Sequence, residues 1–243
     1  MKLTKQTQSN ILKHAQETAP NESCGFVILT GRKQSYHPCE NVATLPQDTF
    51  EIPADAWIGL DGEIVAVVHS HPRNEPFLSA ADRKSQHQSQ LPWALVTGGE
   101  VKLLRYAPLL RGRQFVYGTA DCFTLVRDAF MLCGIEFRDH PRINIDADAA
   151  ADSFEQYLPD GGFARVQDGL QAGDVVLTAQ NGIANHAALY LGDGEMLHHA
   201  YDHLSRVEPY SKYWQRVTHS VWRHKQWRPE MLEAIKNDIA SLS

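Results

Sequence analysis

The sequence predicts an α+β protein of two domains, and three observations carry that reading. In the first hundred residues, short β-rich runs such as 24–30, 64–68 and 93–97 alternate with stretches of helical or polar character. A junction rich in proline, glycine and charge, Ala107-Pro-Leu-Leu-Arg-Gly-Arg113, then interrupts the pattern. Beyond it, one apolar helix over 122–133 is followed by a hairpin signal over 186–199. A length of 243 residues allows one or two domains, and the boundaries expected are 1–106 and 113–243, joined by a linker at 107–112.

Composition excludes several function classes. Hydrophobic residues at 43% and charged residues at 21% match an ordinary globular chain. A net charge of −6, with the basic residues scattered, argues against nucleic acid as a partner, because phosphate binding needs a basic surface. No run approaches the roughly 20 apolar residues of a membrane span, and the first ten residues lack the apolar core of a secretory signal. The cysteines Cys24, Cys39, Cys122 and Cys133 form no Cys-x-x-Cys pair, so neither a zinc ribbon nor a disulfide framework is expected. Synthesis in a reducing cytoplasm is the corresponding expectation.

Taken in order, Ile11, Leu12 and Ala15 give 4–18 an amphipathic helical spacing that ends at Pro20-Asn21. Residues 24–30 read as a central strand, Gly31 as a turn, 34–39 as a strand pairing back and 54–60 as a short helix. Residues 64–71 form a strand running into His69-Ser-His71. Side chains at i and i+2 share a face, so the two imidazoles converge, and they supply two of the three protein ligands of an open zinc site. Asp82 is an acceptable third ligand. Ser79-Ala-Ala-Asp82 also reads as a capping box opening a polar helix over 79–90, a reading compatible with the first. Strands over 93–97 and 101–106 flank Gly98-Gly99, and His37 and His87 read as surface residues.

His69-Ser-His71, seven residues, Ser79, two residues and Asp82 resembles the signature of the JAMM metalloproteases, zinc-dependent relatives of deubiquitinating isopeptidases. Glu22 stands where that family places its upstream glutamate. The resemblance covers about residues 1–106. It implies a mixed sheet with flanking helices, Zn2+ held by His69, His71 and Asp82, Glu22 as general base and Ser79 as a donor to the oxyanion.

In the second half, Phe123, Val126, Ala129, Phe130 and Cys133 fall on one face of a helix with Asp121 as N-cap and Gly134 as its stop. Cys122 thus opens a helix, where the macrodipole is expected to favour its thiolate, whereas Cys133 reads as core. His186 begins a hairpin that turns at Gly192-Asp193-Gly194. A two-residue loop would put His199 on the face of His186; a three-residue loop would put His198 there. His140, His203, His219 and His224 read as structural or exposed. The acidic stretch at 146–152 lacks the glycine and terminal glutamate of a calcium loop, and 229–239 reads as a capping helix.

Asp121-Cys122 at a helix start, Gly173-Asp-Val-Val and His186-x-x-x-Tyr-x-Gly-x-Gly-x-x-x-His198 together resemble the NlpC-type papain-like peptidases of cell-wall turnover. That likeness covers about 113–225 and implies a papain-like α+β domain with a small antiparallel sheet. It also implies catalysis by Cys122 and His186, with His198 as third member. Phe123-Thr124 departs from the Ser-Gly usual after the cysteine, and Tyr117 is a poor positional match for the family's tyrosine.

A JAMM-like half joined to an NlpC-like half resembles the tail-tip assembly proteins of lambda-like siphophages. This implies assembly in the host cytoplasm, a place at the virion tail tip and other tail-tip proteins as partners. It also implies peptidoglycan stem peptides as substrate, cut between D-glutamate and diaminopimelate. The bond cut by the zinc half stays open. The competing reading is a structural tail-tip component that uses catalytically silent peptidase folds for binding.

Overall fold

The computed structural model of the protein describes residues 1–140, 142, 154–167, 169–180 and 182–241. They form two compact units, Met1–Ala107 and Pro108–Ser243. The acidic stretch at 146–152 lies outside the described residues. Among the described residues, no helix is long and apolar enough to cross a membrane.

The first unit opens with α1 (Lys5–Thr18), capped by the Thr4 side chain, which accepts the Thr7 N–H. Its sheet is built from β1 (Cys24–Thr30), β2 (Lys33–Cys39), β3 (Glu63–Ser70), β4 (Trp93–Thr97) and β5 (Glu100–Leu104), in the order β2-β1-β3-β4-β5. Only β3 and β4 run parallel, which makes the sheet mixed as expected. Ile11 of α1 packs on Val27, Ala66, Val68, Ala94 and Val96. Alternation along β3 therefore turns Val67 and His69 to the opposite face, where α2 (Ala80–Ser89) begins. The helix read over 54–60 is a 3-10 turn, Ala54–Trp57, and β3 stops at Ser70, one residue before His71.

In the second unit α3 (Cys122–Leu132) is buried on every side except at Arg127, a wider apolar surface than the single face its periodicity suggests. It packs on β8 of an antiparallel sheet of β6 (Phe163–Val166), β7 (Val175–Gln180), β8 (Ile183–Gly192), β9 (Glu195–His198), β10 (Arg206–Pro209) and β11 (Thr218–His224). The strand order is β10-β9-β8-β7-β11-β6. Helices α4 (Lys212–Val217) and α5 (Leu232–Ala240) complete the unit.

Residues 108–112, read from composition as linker, are packed into this unit. Leu110 is fully buried and its N–H donates to Asp238 Oδ1 at 2.7 Å. Arg113 donates to the Leu109 carbonyl at 2.7 Å and to Asp128 Oδ2 of α3 at 2.6 Å. Two leucines with such partners are core, whatever the flanking proline and glycine suggest.

Asp121 does more than cap α3. Its carboxylate accepts the N–H of Thr124 and of Gly118, and Arg142 Nε donates to it at 2.6 Å with both side chains buried. Burial would raise this carboxyl, but Arg142 and the N–H donors outweigh burial and hold it below the usual range. A depressed folded value gives stability that is complete above the unfolded value of about 3.9 and is lost as pH falls through the folded value. Arg142→Met should therefore cost about 3–5 kcal/mol at pH 7. The gap from the parent should narrow on acidification to pH 3, read from urea midpoints; a gap independent of pH would contradict this role.

Candidate active sites

The first site is assembled by register. In the antiparallel pairing of β1 with β3, Cys24 lies opposite His69 and Gly25 opposite Val68. Just beyond the ladder, Ser70 N–H donates to the Ser23 carbonyl at 3.0 Å, and Ser23 N–H donates to Ser70 Oγ at 2.8 Å. Continuing that register places Glu22 opposite His71. Asp82 arrives from α2 through a capping box in which Ser79 Oγ accepts the Asp82 N–H and Asp82 Oδ2 accepts the Ser79 N–H. The capping reading and the ligand reading thus meet in one residue, Asp82.

His69 Nε2 lies 3.1 Å from His71 Nε2 and 3.5 Å from Asp82 Oδ2, and His71 Nε2 lies 3.3 Å from the same oxygen. Ligands at roughly 2.0–2.2 Å from a tetrahedral zinc are held about 3.3–3.5 Å apart, so this buried donor set fits one face of such a centre. Among the described residues it is the cluster able to hold a metal. His71 Nδ1 sits 3.0 Å from the Glu75 carbonyl, which requires a proton on Nδ1 and makes Nε2, turned toward His69 and Asp82, the nitrogen that would bind a metal. His69 is fully buried, stacked on Phe50 and edged by Trp93.

Electrostatics divide the roles. Burial would raise Asp82, but the two imidazoles hold it well below the carboxylate range. Burial would lower His71, and Asp82 raises it instead. Glu22 is pushed up to about 7, first by burial and then by Asp82, Glu75 and Asp48, with His71 opposing. A carboxyl poised near neutrality beside a ligand set suits proton transfer at physiological pH. Ser79 is exposed, and its hydroxyl, accepting from Asp82, retains a proton to donate.

The second site is also set by register. Asp193 and Gly194 both have positive φ and form a two-residue hairpin turn between β8 and β9. Gly192 pairs with Glu195, but a bulge at Leu191 shifts the ladder so that Ala188 pairs with His198. One extra residue in the strand does what a third loop residue would have done, and His198 instead of His199 shares the face of His186. His186 Nε2 lies 3.1 Å from His198 Nδ1, and Trp214 packs on both rings. His199 turns away and packs edge-on against Phe115.

Cys122 is buried at the start of α3, where the Ala187 N–H, one residue from His186, points at its sulfur. Among the described residues no hydrogen bond joins the thiol to the His186 ring in this conformation. The expectation that the helix start favours the thiolate does not hold here. Burial, and then the adjacent Asp121 carboxylate, push the Cys122 thiol up to about 12. Burial and the neighbouring His198 and His199 push His186 down to about 3. Thiol and imidazole are thus both neutral at pH 7. Cys133 donates to the Ala129 and Met231 carbonyls as a core thiol. Of the other histidines, His37, His87 and His203 are exposed, His140 stacks on Tyr157, His219 lies 3.4 Å from Glu155, and His224 is buried against the Gly161 carbonyl.

Two residues that carry no motif also reach the second site. Glu208 Oε1 lies 3.4 Å from His198 Nε2 and accepts Trp214 Nε1–H at 2.6 Å. The only trace of Glu208 in the sequence is the charge alternation Arg206-Val-Glu208, too short to separate from a solvated strand, and Trp214 stands in no pattern at all.

Known proteins align with both units. Residues 4–107 match the family of prokaryotic homologs of the JAB domain, and residues 112–223 match the NlpC/P60 family. Tail tip assembly protein K of Escherichia phage lambda is 45% identical over 186 residues, covering 76% of this chain and 94% of that protein. Tail tip assembly protein K of Escherichia phage N15 is 33% identical over 237 residues, covering 93% and 97%. A desampylase of Haloferax volcanii is 30% identical over 100 residues, covering 35% of this chain and 70% of that enzyme. With near-complete coverage of two such relatives, this chain belongs to the tail tip assembly protein K family, and in this chain a JAB-type domain precedes an NlpC/P60-type domain.

Proposed function

We propose that this phage tail tip assembly protein is a two-site peptidase whose second unit hydrolyses stem-peptide amides of peptidoglycan. The observation that carries the reading is the pairing of His186 Nε2 with His198 Nδ1 at 3.1 Å, beside a cysteine that opens a helix. In the reaction, Cys122 Sγ attacks the amide carbonyl as its proton passes to His186. His186 returns that proton to the leaving amine, and water then cleaves the thioester with His186 as base. His198 holds the ring and faces the imidazolium as it forms. Because thiol and imidazole are both neutral and no hydrogen bond joins them, substrate binding has to complete the contact, and apo catalytic contacts are commonly loose.

In the first unit, His69, His71 and Asp82 would hold zinc, which when bound supplies Lewis-acid activation for cleavage of a peptide or isopeptide bond. Glu22 would accept a proton and pass it to the leaving amine, and Ser79 would donate to the developing oxyanion. The desampylase likeness supports an isopeptide-type substrate, with a tail-tip protein as the natural target during assembly in the host or at the virion tail.

The competing reading, a structural component with silent peptidase folds, draws on one observation: Cys122 is 6% exposed. The two part company in a sacculus assay. Purified protein should release stem-peptide fragments from murein, and Cys122→Ala should lower the rate at least about 10³-fold, as losses of triad members do. Equal release by both proteins would remove the thiol mechanism, and no release by either would favour the structural reading. For the first unit, Glu22→Gln should leave metal content unchanged while abolishing isopeptide cleavage that needs zinc; loss of the metal in this variant would make Glu22 a ligand instead.

A further inference from the structure

Beyond the three matched residues of the second site lies a fourth group that no motif marks. β10 pairs with β9 so that Arg206 is directly opposite His198. Strand alternation then puts Arg206 and Glu208 on the face of the His198 ring. Glu208 is held from two sides: Arg206 Nε donates to Oε2 at 2.7 Å and Trp214 Nε1 donates to Oε1 at 2.6 Å. His198 is fully buried, and its Nε2 has no hydrogen-bond partner, but Glu208 Oε1 stands 3.4 Å away at ion-pair distance. A buried imidazole nitrogen facing a fixed carboxylate is stable only as a donor, because two lone pairs facing each other would repel.

We propose that Glu208 is a positioning residue of the second site, holding His198 in the Nε2–H tautomer. The consequence passes along the chain of rings. With its proton on Nε2, His198 presents a lone pair on Nδ1 and can only accept from His186 Nε2, 3.1 Å away. His186 must then carry its proton on Nε2, which leaves Nδ1 as the basic nitrogen. Without a carboxylate behind it, His198 is free to take the opposite tautomer and block that arrangement. Burial would raise Glu208, yet Arg206, Trp214 and His198 hold its carboxyl below the usual range, so the anion persists at neutral pH. Arg206 and His199 are the other charged or titratable neighbours of His198, and both oppose its protonation. Burial, with Arg206 and His199, holds His198 down against the pull of Glu208, so the carboxylate fixes the tautomer and also faces the positive charge that develops along the pair during proton transfer.

The catalytic meaning of this inference rests on the cysteine-peptidase reading, but the tautomer does not. Long-range 1H–15N NMR of the full-length protein should show His198 protonated on Nε2 and His186 on Nε2. Glu208→Gln, nearly isosteric, should mix or reverse the His198 tautomer. It should also slow iodoacetamide alkylation of Cys122, followed by mass spectrometry of its peptide, by roughly 10- to 100-fold. Finding His198 protonated on Nδ1 in the parent protein would overturn the inference whether or not the variant folds, as would an unchanged tautomer and alkylation rate in Glu208→Gln. A parent protein with the expected tautomers but no murein hydrolysis would sink the peptidase reading and leave the role of Glu208 standing.

Discussion

The sites depend on one constraint: side chains on a strand alternate, so a register decides which of them can meet. In the first unit, pairing Cys24 with His69 aligns Glu22 with the end of the strand that carries the histidines. In the second, a bulge at Leu191 selects His198 over His199 as the neighbour of His186. A slip of one residue in either ladder would turn an imidazole to the other face. The hydrophobic pattern guards against this, because Ala66 and Val68 must face Ile11 if His69 is to face the other way.

The two sites handle burial differently. Around His69, His71 and Asp82, opposite charges outweigh desolvation, leaving a depressed carboxylate and a raised His71. Around Cys122 and His186 desolvation wins, and both groups are held neutral. In the first arrangement, two imidazoles and a carboxylate converge on one point, a donor set that fits a cation. The second is neutral at rest, and under the proposed mechanism its proton transfer would wait on a substrate that assembles the pair in a water-poor environment.

Much of this was legible from residue order. The strands over 24–30 and 93–97, the helix opened by Asp121 and Cys122, and the capping box at Ser79 follow local rules that tertiary context did not override. A turn within Gly192-Asp193-Gly194 was legible too, with its loop length open, but the bulge beside it was not, since Leu191 is apolar and looks like any strand residue. Residues 108–112 misled for a related reason: proline and glycine mark a turn, and only the packing of Leu109 and Leu110 shows that the turn belongs to a core. The neutral state of Cys122 depends on how deeply α3 is covered and on the carboxylate of Asp121, which a helix-dipole argument leaves out. Glu208 lies on a four-residue strand, too short for any periodicity to single it out.

The claim that strand register gathers distant side chains into working centres is tested most directly by metal analysis of the full-length protein purified without chelators. The account predicts one zinc per chain in the parent, and none in either His69→Ala or His71→Ala with circular dichroism unchanged. A parent protein that binds no zinc at micromolar free metal, or variants that retain it in full, would contradict the account.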